Sequence, residues 1–259
     1  MDASFYILDE ELFHPTPLTR GPWDPMAQHG GPPSALLGGA IAAWGADASR
    51  FFLARLTVTL LRPAPLAPLA LSVTPTRLGR SVQRLQATLS HDGRPVLSAE
   101  GLRIRRKPLT VPAPDPGPPW PAPDTLPRFT FPFFQDPVGY HTAVELAVAS
   151  GAWGRTPVGF WARPRAALVA GRATTPVERV LILADAQSGM GVPLPPAQFT
   201  FINPDLTVYF EREPVGDWVG FDIRSTASAE GVGLSQSAIR DAAGLLGRSA
   251  QSLLVDARP

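Results

Sequence analysis

Between Gly30 and Gly45 the chain runs GGPPSALLGGAIAAWG, sixteen residues without a charge. Leu36, Leu37, Ala40, Ile41 and Trp44 recur at helical spacing, while Ala35, Gly38, Gly39, Ala42 and Ala43 make the remaining face small rather than polar. Such a helix has no side to offer water, so the rest of the chain must wrap around it. Pro32 and Pro33 suit a first turn, where a missing N–H costs nothing, and Ser34 is placed to satisfy the free donors there. Glycine inside a helix costs about 0.5–1 kcal/mol relative to alanine. The Gly38-Gly39 pair therefore predicts a neighbouring backbone or a ligand that needs the room. A membrane-spanning helix needs about 20 apolar residues, so the run reads as a buried core helix and no membrane span is expected.

Strand patterns supply the wrapping. Phe5 to Leu12 alternates, and a turn-rich approach leads to the helix. Beyond it Leu56, Val58 and Leu60 face one way and Arg55, Thr57 and Thr59 the other, until Pro63 and Pro65 end the strand. Leu69, Leu71 and Val73 mark a second strand, and Leu85, Ala87 and Leu89 a third, which turns at Asp92-Gly93. The fourth sets Leu97 and Ala99 inward and then changes parity to Leu102 and Ile104, which predicts a bulge at Gly101. One helix followed by an antiparallel meander is an α+β layout.

Nine of the twenty residues from Pro108 to Pro127 are proline. Proline lacks the N–H that helices and sheet interiors use, so the segment reads as an extended linker. The expected division is 1–107, a linker at 108–128, and 129–259. In the second part Val144–Val148 and Val158–Trp161 read as strands and Pro176–Ala186 (PVERVLILADA) as a helix. Leu56-Thr57-Val58 returns as Leu206-Thr207-Val208, and Arg62 as Arg212, both 150 residues on. Trp218 to Ile223 stands for Leu69 to Val73, Asp241 to Gly244 for the Asp92-Gly93 turn, and Ser249-Ala250-Gln251 for Ser98-Ala99-Glu100. Shared order at a near-constant offset indicates a duplication.

A net charge of +1 gives no electrostatic case for nucleic acid. The absence of cysteine removes thiolate nucleophiles, cysteine zinc sites and disulfides together. His14, His29, His91 and His141 are scattered without the close pairs of metal sites, so neither metal nor cofactor is expected. The acidic start MDASFYILDE lacks the regions of a signal peptide, and a cytoplasmic location is expected.

HGGPPSALLGGAIAAW, then a strand ending in LRPAP, then TRLGRSVQRLQATL, resembles the amino half of the TesB-like acyl-CoA thioesterases. The likeness covers nearly the whole chain apart from the linker and residues 129–160. It implies a tandem (double) hotdog, each half an antiparallel sheet wrapped around a central helix, the two sheets joined edge to edge. It also implies hydrolysis of an acyl-CoA or acyl-carrier thioester in lipid metabolism, and no cofactor. Self-association into a homo-oligomer is expected, because such sheets leave a further apolar edge or face. The family's catalytic aspartate matches Asp185 in LILADAQSG and its glutamine Gln251 in GRSAQSLLV. Its small polar strand residue, usually threonine or serine, falls on Asn203 in FINPDLTVYF, a departure that leaves both Asn203 and the nearby Thr207 open for that role.

Thioester hydrolysis needs a held water, a group to take its proton and donors for the oxyanion. Asp185 can be the base, and Asn203 and Gln251, each with a donor and an acceptor, can hold the water without changing charge. Backbone N–H groups at Gly30 and Gly31 suit the oxyanion, with His29 beside the substrate. Ser188 in AQSGM lacks the two flanking glycines of a nucleophile elbow. Two rival readings stand beside this one. Asp24 and His29 have the spacing of the acid–base pair in hotdog enoyl-CoA hydratases, and Ala35 also fits, although Pro25-Met26-Ala27-Gln28 replaces the turn found there. The other rival is an acyl-CoA or lipid binding module without catalysis.

Overall fold

The computed structural model describes residues 3–112, 119–192 and 194–258. The first half contains β1 (Ser4–Asp9), β2 (Leu12–Pro15), α1 (Gly31–Ala43), β3 (Phe51–Leu60), β4 (Leu69–Leu78), β5 (Val82–His91) and β6 (Arg94–Arg105). The second contains β7 (Arg128–Phe129), β8 (Val144–Ser150), β9 (Val158–Pro164), β10 (Ala167–Val169), α2 (Pro176–Ala184) and α3 (Gln187–Met190). It closes with β11 (Phe199–Ile202), β12 (Asp205–Phe210), β13 (Val219–Ala227), β14 (Val232–Asp241) and β15 (Gly244–Ala257). Phe5 to Leu12 is a hairpin rather than one strand, because Glu10, at φ 52°, turns the chain back.

The strands form one sheet in the order β10-β1-β2-β4-β5-β6-β3-β12-β15-β14-β13-β9-β8-β7, with β11 also on β15. The halves meet at β1 and β10 and, in the middle of the sheet, at β3 and β12, where Leu56-Thr57-Val58 pairs antiparallel with its own repeat. Thr57 faces Thr207, Oγ1 to Oγ1 at 3.2 Å, so a local twofold axis passes between them. The offset of 150 then runs outward: Thr57 pairs with Glu100 and Thr207 with Ala250, and these in turn with Gln86 and Gln236. Ala250 is thus the counterpart of Glu100, one place away from the expected alignment of Ser249-Ala250-Gln251 with Ser98-Ala99-Glu100. A slip of one residue reverses every side chain's face. Glu100 points out to pair with Arg55, while Gln251, the counterpart of Gly101, is buried.

Inside the curled sheet α1 packs against α2. A Cβ at Gly31 would lie 2.1 Å from the Ile182 carbonyl oxygen, and one at Gly38 2.1 Å from Leu181 Cδ1. The room at Gly38-Gly39 is therefore taken by Leu181 and Glu178 of the second helix. Leu36, Leu37 and Ile41 are buried, each worth about 1.5–3 kcal/mol. Ser34 is not the cap: its hydroxyl donates back to the Gly30 carbonyl at 2.6 Å, and the first helical N–H, that of Gly31, goes to His29 Nδ1 at 3.1 Å. No described helix is long and apolar enough to cross a membrane.

The expected bulge at Gly101 is absent. β6 keeps its parity, with Leu97, Ala99, Gly101 and Arg103 inward and Ile104 outward. The register shifts on this strand and its partner fall instead between Leu89 and Ser90 and between Leu53 and Arg55. The inward position that broke the apolar pattern belongs to Arg103, wholly buried, which donates to the Ile41, Ala42 and Trp44 carbonyls, bonds Gln83 and lies over the Trp44 and Phe51 rings. A guanidinium satisfies the free carbonyls where α1 ends and meets the negative end of its dipole.

Within the expected linker, 113–118 lie outside the described residues. The following stretch lies on the second half, Trp120 edge-on to Trp161 and Trp161 Nε1 donating to the Pro121 carbonyl at 2.9 Å.

Candidate active site

Thr175 and Glu178 form a reciprocal cap at the start of α2, and Pro176 sits at its first position. The helix ends at Ala184, Asp185 is its cap residue and α3 starts two residues later. Asp185 is buried, and three segments distant in sequence hold its carboxylate. Asn203 Nδ2, from the turn between β11 and β12, donates to Oδ1 at 2.8 Å. Gln251 Nε2, from β15, donates to the Asp185 carbonyl at 3.0 Å and to Oδ1 at 3.3 Å. His29 Nδ1, from the residue pair before α1, lies 3.2 Å from Oδ2. Gly30 packs so closely that a Cβ there would fall 2.8 Å from Oδ2.

A buried polar network anchors the break in the helix. Gln187 Oε1 accepts from Ser237 Oγ at 3.0 Å and Ser249 Oγ at 2.5 Å, and its Nε2 donates to the Ser235 carbonyl at 2.9 Å. At the same sheet positions the first half has Ala87, Ala99 and Leu85, all buried and apolar. Likewise Gly101, where Gln251 stands in the second half, packs on Ile41. Among the described residues the polar cluster is built in one half of the duplication and not in the other.

His29 stacks face to face on Tyr140, centroids 3.7 Å apart at 2°, and the Tyr140 hydroxyl donates to the Ile182 carbonyl at 3.0 Å. Burial holds the imidazole pKa below its ordinary value, with the Asp185 charge pulling it partly back. Burial and the same charge push the Tyr140 phenol well above its ordinary range. Nδ1 has one site for two partners: as the neutral Nε2–H tautomer it accepts from Gly31, and as the Nδ1–H tautomer it donates to Asp185.

A cavity of about 390 Å³ opens beside this cluster. His29, Gly30, Asp185 and Asn203 form its polar end, Trp23, Phe131, Phe133, Phe134 and Phe201 an aromatic wall, and Arg62 stands at the rim. The geometry therefore unites Asp185, Asn203, Gln251 and His29 and puts Gly30 on the cavity. Gly31 does not face it with a free donor, since its N–H serves His29. Thr207 is outside the lining, hydrogen-bonded to Thr57 at the junction of the halves. Asp24 lines the mouth but accepts from Met26 N at 2.8 Å and has no hydrogen bond to His29, whose carboxylate partner is Asp185. Ser188 lines the wall without a hydrogen bond to His29 or Asp185. Tyr140 and the phenylalanines of FTFPFF went unread in the sequence, where the aromatic run was the available signal.

A pair of helix-and-sheet units joined edge to edge, with a buried carboxylate cluster on an apolar cavity, defines a tandem hotdog protein. Residues 19–104 match the acyl-CoA thioesterase N-terminal domain and residues 112–255 the acyl-CoA thioesterase C-terminal domain. The chain belongs to this acyl-CoA thioesterase family. Among solved structures it is similar to a protein of unknown function with a hot dog fold from Alicyclobacillus acidocaldarius, at 19% identity over 100% of this chain and 97% of that one, TM-score 0.75. It is similar to the acyl-CoA thioesterase II TesB2 of Mycobacterium marinum, at 17% identity over 97% and 94% of the two chains, TM-score 0.68. A TesB protein of Mycobacterium avium subsp. paratuberculosis gives 18% identity over 97% and 95%, TM-score 0.64. At such identities these structures establish the fold. No curated protein matches the chain significantly.

Proposed function

We propose that the protein hydrolyses acyl-CoA thioesters with Asp185 as general base, Asn203 and Gln251 holding the water, and Gly30 N–H meeting the carbonyl oxygen. The observation that carries this reading is the Asp185 carboxylate, buried at the end of an apolar cavity with Asn203, Gln251 and His29 all aimed at it. Gln251 Oε1, behind the cavity lining, is buried without a hydrogen-bond partner among the described residues, which leaves an acceptor beside the carboxylate. Gly30 N–H has no acceptor among them either.

In this mechanism Asp185 takes a proton as the water oxygen bonds to the thioester carbon. The tetrahedral intermediate puts its negative oxygen on Gly30 N–H. Collapse breaks the carbon–sulfur bond, and the proton on Asp185 passes to the departing thiolate, leaving a free acid and CoA thiol. Asn203 and Gln251 keep their charge throughout, and His29, in its Nδ1–H tautomer, donates to the other carboxylate oxygen in place of accepting from Gly31.

Thiol release across a panel of acyl-CoAs tests the reading. Asp185→Asn keeps the shape and removes the base, and turnover should fall about 10²–10⁴-fold with little change in acyl-CoA affinity. Parent-like turnover in that variant would refute the base assignment. Binding without thiol release by the parent would instead support a non-catalytic acyl-CoA module.

A further inference from the structure

One wall of the cavity is aromatic. Trp23, from the approach to α1, stacks on Phe133 with centroids 5.8 Å apart at 9° and meets Phe201 edge-on at 5.2 Å. Phe133 in turn packs against Phe131 at 5.3 Å and Phe134 at 5.6 Å. Each ring is thus held by another, and the group spans both halves of the duplication. The wall also comes close to the catalytic segment: a Cβ at Gly189, four residues past Asp185, would lie 3.2 Å from Phe133 Cζ and 3.5 Å from Phe131 Cε1. Two of the aliphatic lining residues, Ile202 and Leu254, are 42% and 62% exposed and belong to the rim.

The cavity measures about 390 Å³, within the roughly 300–1,000 Å³ of small-ligand sites. A ring of six carbons on a short stem fits this space. Fixed aromatic side chains also reward a flat aryl group through edge and offset contacts and ask it to freeze few rotors. A straight chain of equal carbon number makes only dispersion contacts with the rings and must give up its rotamer freedom.

Resting on the thioesterase reading, we propose that this site selects compact aryl-acyl thioesters, of the phenylacetyl or benzoyl kind, over straight-chain acyl groups. Trp23, Phe131 and Phe133 are the specificity-determining residues.

The test compares phenylacetyl-CoA with octanoyl-CoA, which has the same number of acyl carbons, and with palmitoyl-CoA. Each ring contact is worth about two- to tenfold, so kcat/KM for phenylacetyl-CoA should exceed that for octanoyl-CoA and that for palmitoyl-CoA by about tenfold. In Phe133→Leu, which keeps apolar bulk and removes the ring, the ratio of phenylacetyl to octanoyl should fall. Phe131→Leu serves if that variant does not fold. Equal or higher kcat/KM for octanoyl- or palmitoyl-CoA would overturn the inference while leaving hydrolysis intact, and an unchanged ratio in the folded variant would overturn the role of the ring. If no thioester releases thiol, the catalytic reading falls, and calorimetric binding of the same two thioesters decides the preference by itself: tighter phenylacetyl-CoA supports it, tighter octanoyl-CoA refutes it.

Discussion

His29 Nδ1 lies 3.2 Å from Asp185 Oδ2 and 3.1 Å from Gly31 N, so its protonation decides whether it donates to the candidate base or accepts from the first turn of α1. Burial lowers the His29 pKa in the folded state, against a partial opposing pull from Asp185. The unfolded chain then binds a proton more readily than the folded one between the lowered value and about 6.5, the ordinary histidine pKa. The stability this group contributes is complete above that upper bound and is lost as pH falls through the folded-state pKa. Urea unfolding from about pH 7 down to about pH 5 should show parent stability falling more steeply than that of His29→Gln. Equal slopes would mean that His29 does not titrate in this way.

Removing the Gln187 side chain leaves one of two buried hydroxyls without an acceptor, because those of Ser237 and Ser249, 2.7 Å apart, can bond only one to the other. Ser237 and Ser249 both donate to its Oε1 in a wholly buried site, and an unsatisfied buried polar group costs about 1–3 kcal/mol. Gln187→Ala should therefore lose at least that much in chemical denaturation. Combining it with Ser237→Ala and Ser249→Ala should recover part of the loss, since the first half shows that apolar residues fill these positions. A triple variant no more stable than the single one would contradict the argument.

Arg103→Ala should be more damaging. It removes the donor to three carbonyls at the end of α1 and opens a cavity between Trp44 and Phe51. Breaking a buried charged network of this kind costs about 3–5 kcal/mol, which thermal unfolding would register as a drop of many degrees. A loss under about 1 kcal/mol, the size expected of a surface substitution, would show that the carbonyls find other partners.

Gly31→Ala and Gly39→Ala separate two kinds of close approach. The first would drive a methyl group to 2.1 Å from a backbone oxygen, that of Ile182, which cannot swing away; the second meets the side-chain carboxylate of Glu178 at 2.3 Å. Overpacking typically costs about 1–3 kcal/mol, and the Gly31 variant should lie at or beyond the top of that range, with acyl-CoA turnover lost through displacement of α2. Calorimetric unfolding of the two side by side checks the order.

The core helix was readable because sixteen uncharged residues leave only one environment for it, and the strands because alternation has one face to bury. The alternation misled at Leu102 and Ile104. There the inward place belongs to Arg103, whose burial depends on carbonyls sixty residues back that no local pattern reveals. Asp185 and Gln251 were found through the family resemblance, and the same route left Asn203 and Thr207 undecided. Three-dimensional pairing separates them, because Asn203 turns to Asp185 while Thr207 sits on the local axis. Tyr140 and the phenylalanine wall had no period to betray them. Their partners are His29, Trp23 and Gly189, which only folding brings near.

The pairing of Thr57 with Thr207 also bears on how separable the repeats are. Each half lends the other its neighbour in the middle of the sheet, so cutting the chain at the proline-rich stretch would bare two complementary edges, β3 and β12, each with an unmet row of N–H and C=O groups. Because Leu56-Thr57-Val58 and Leu206-Thr207-Val208 are copies of one another around an axis, a second β3 would offer β3 the same Leu-Thr-Val edge that β12 offers. A fragment holding one repeat is thus built to find a twin, and the covalent tandem ensures that the twin it finds is the half that carries Asp185.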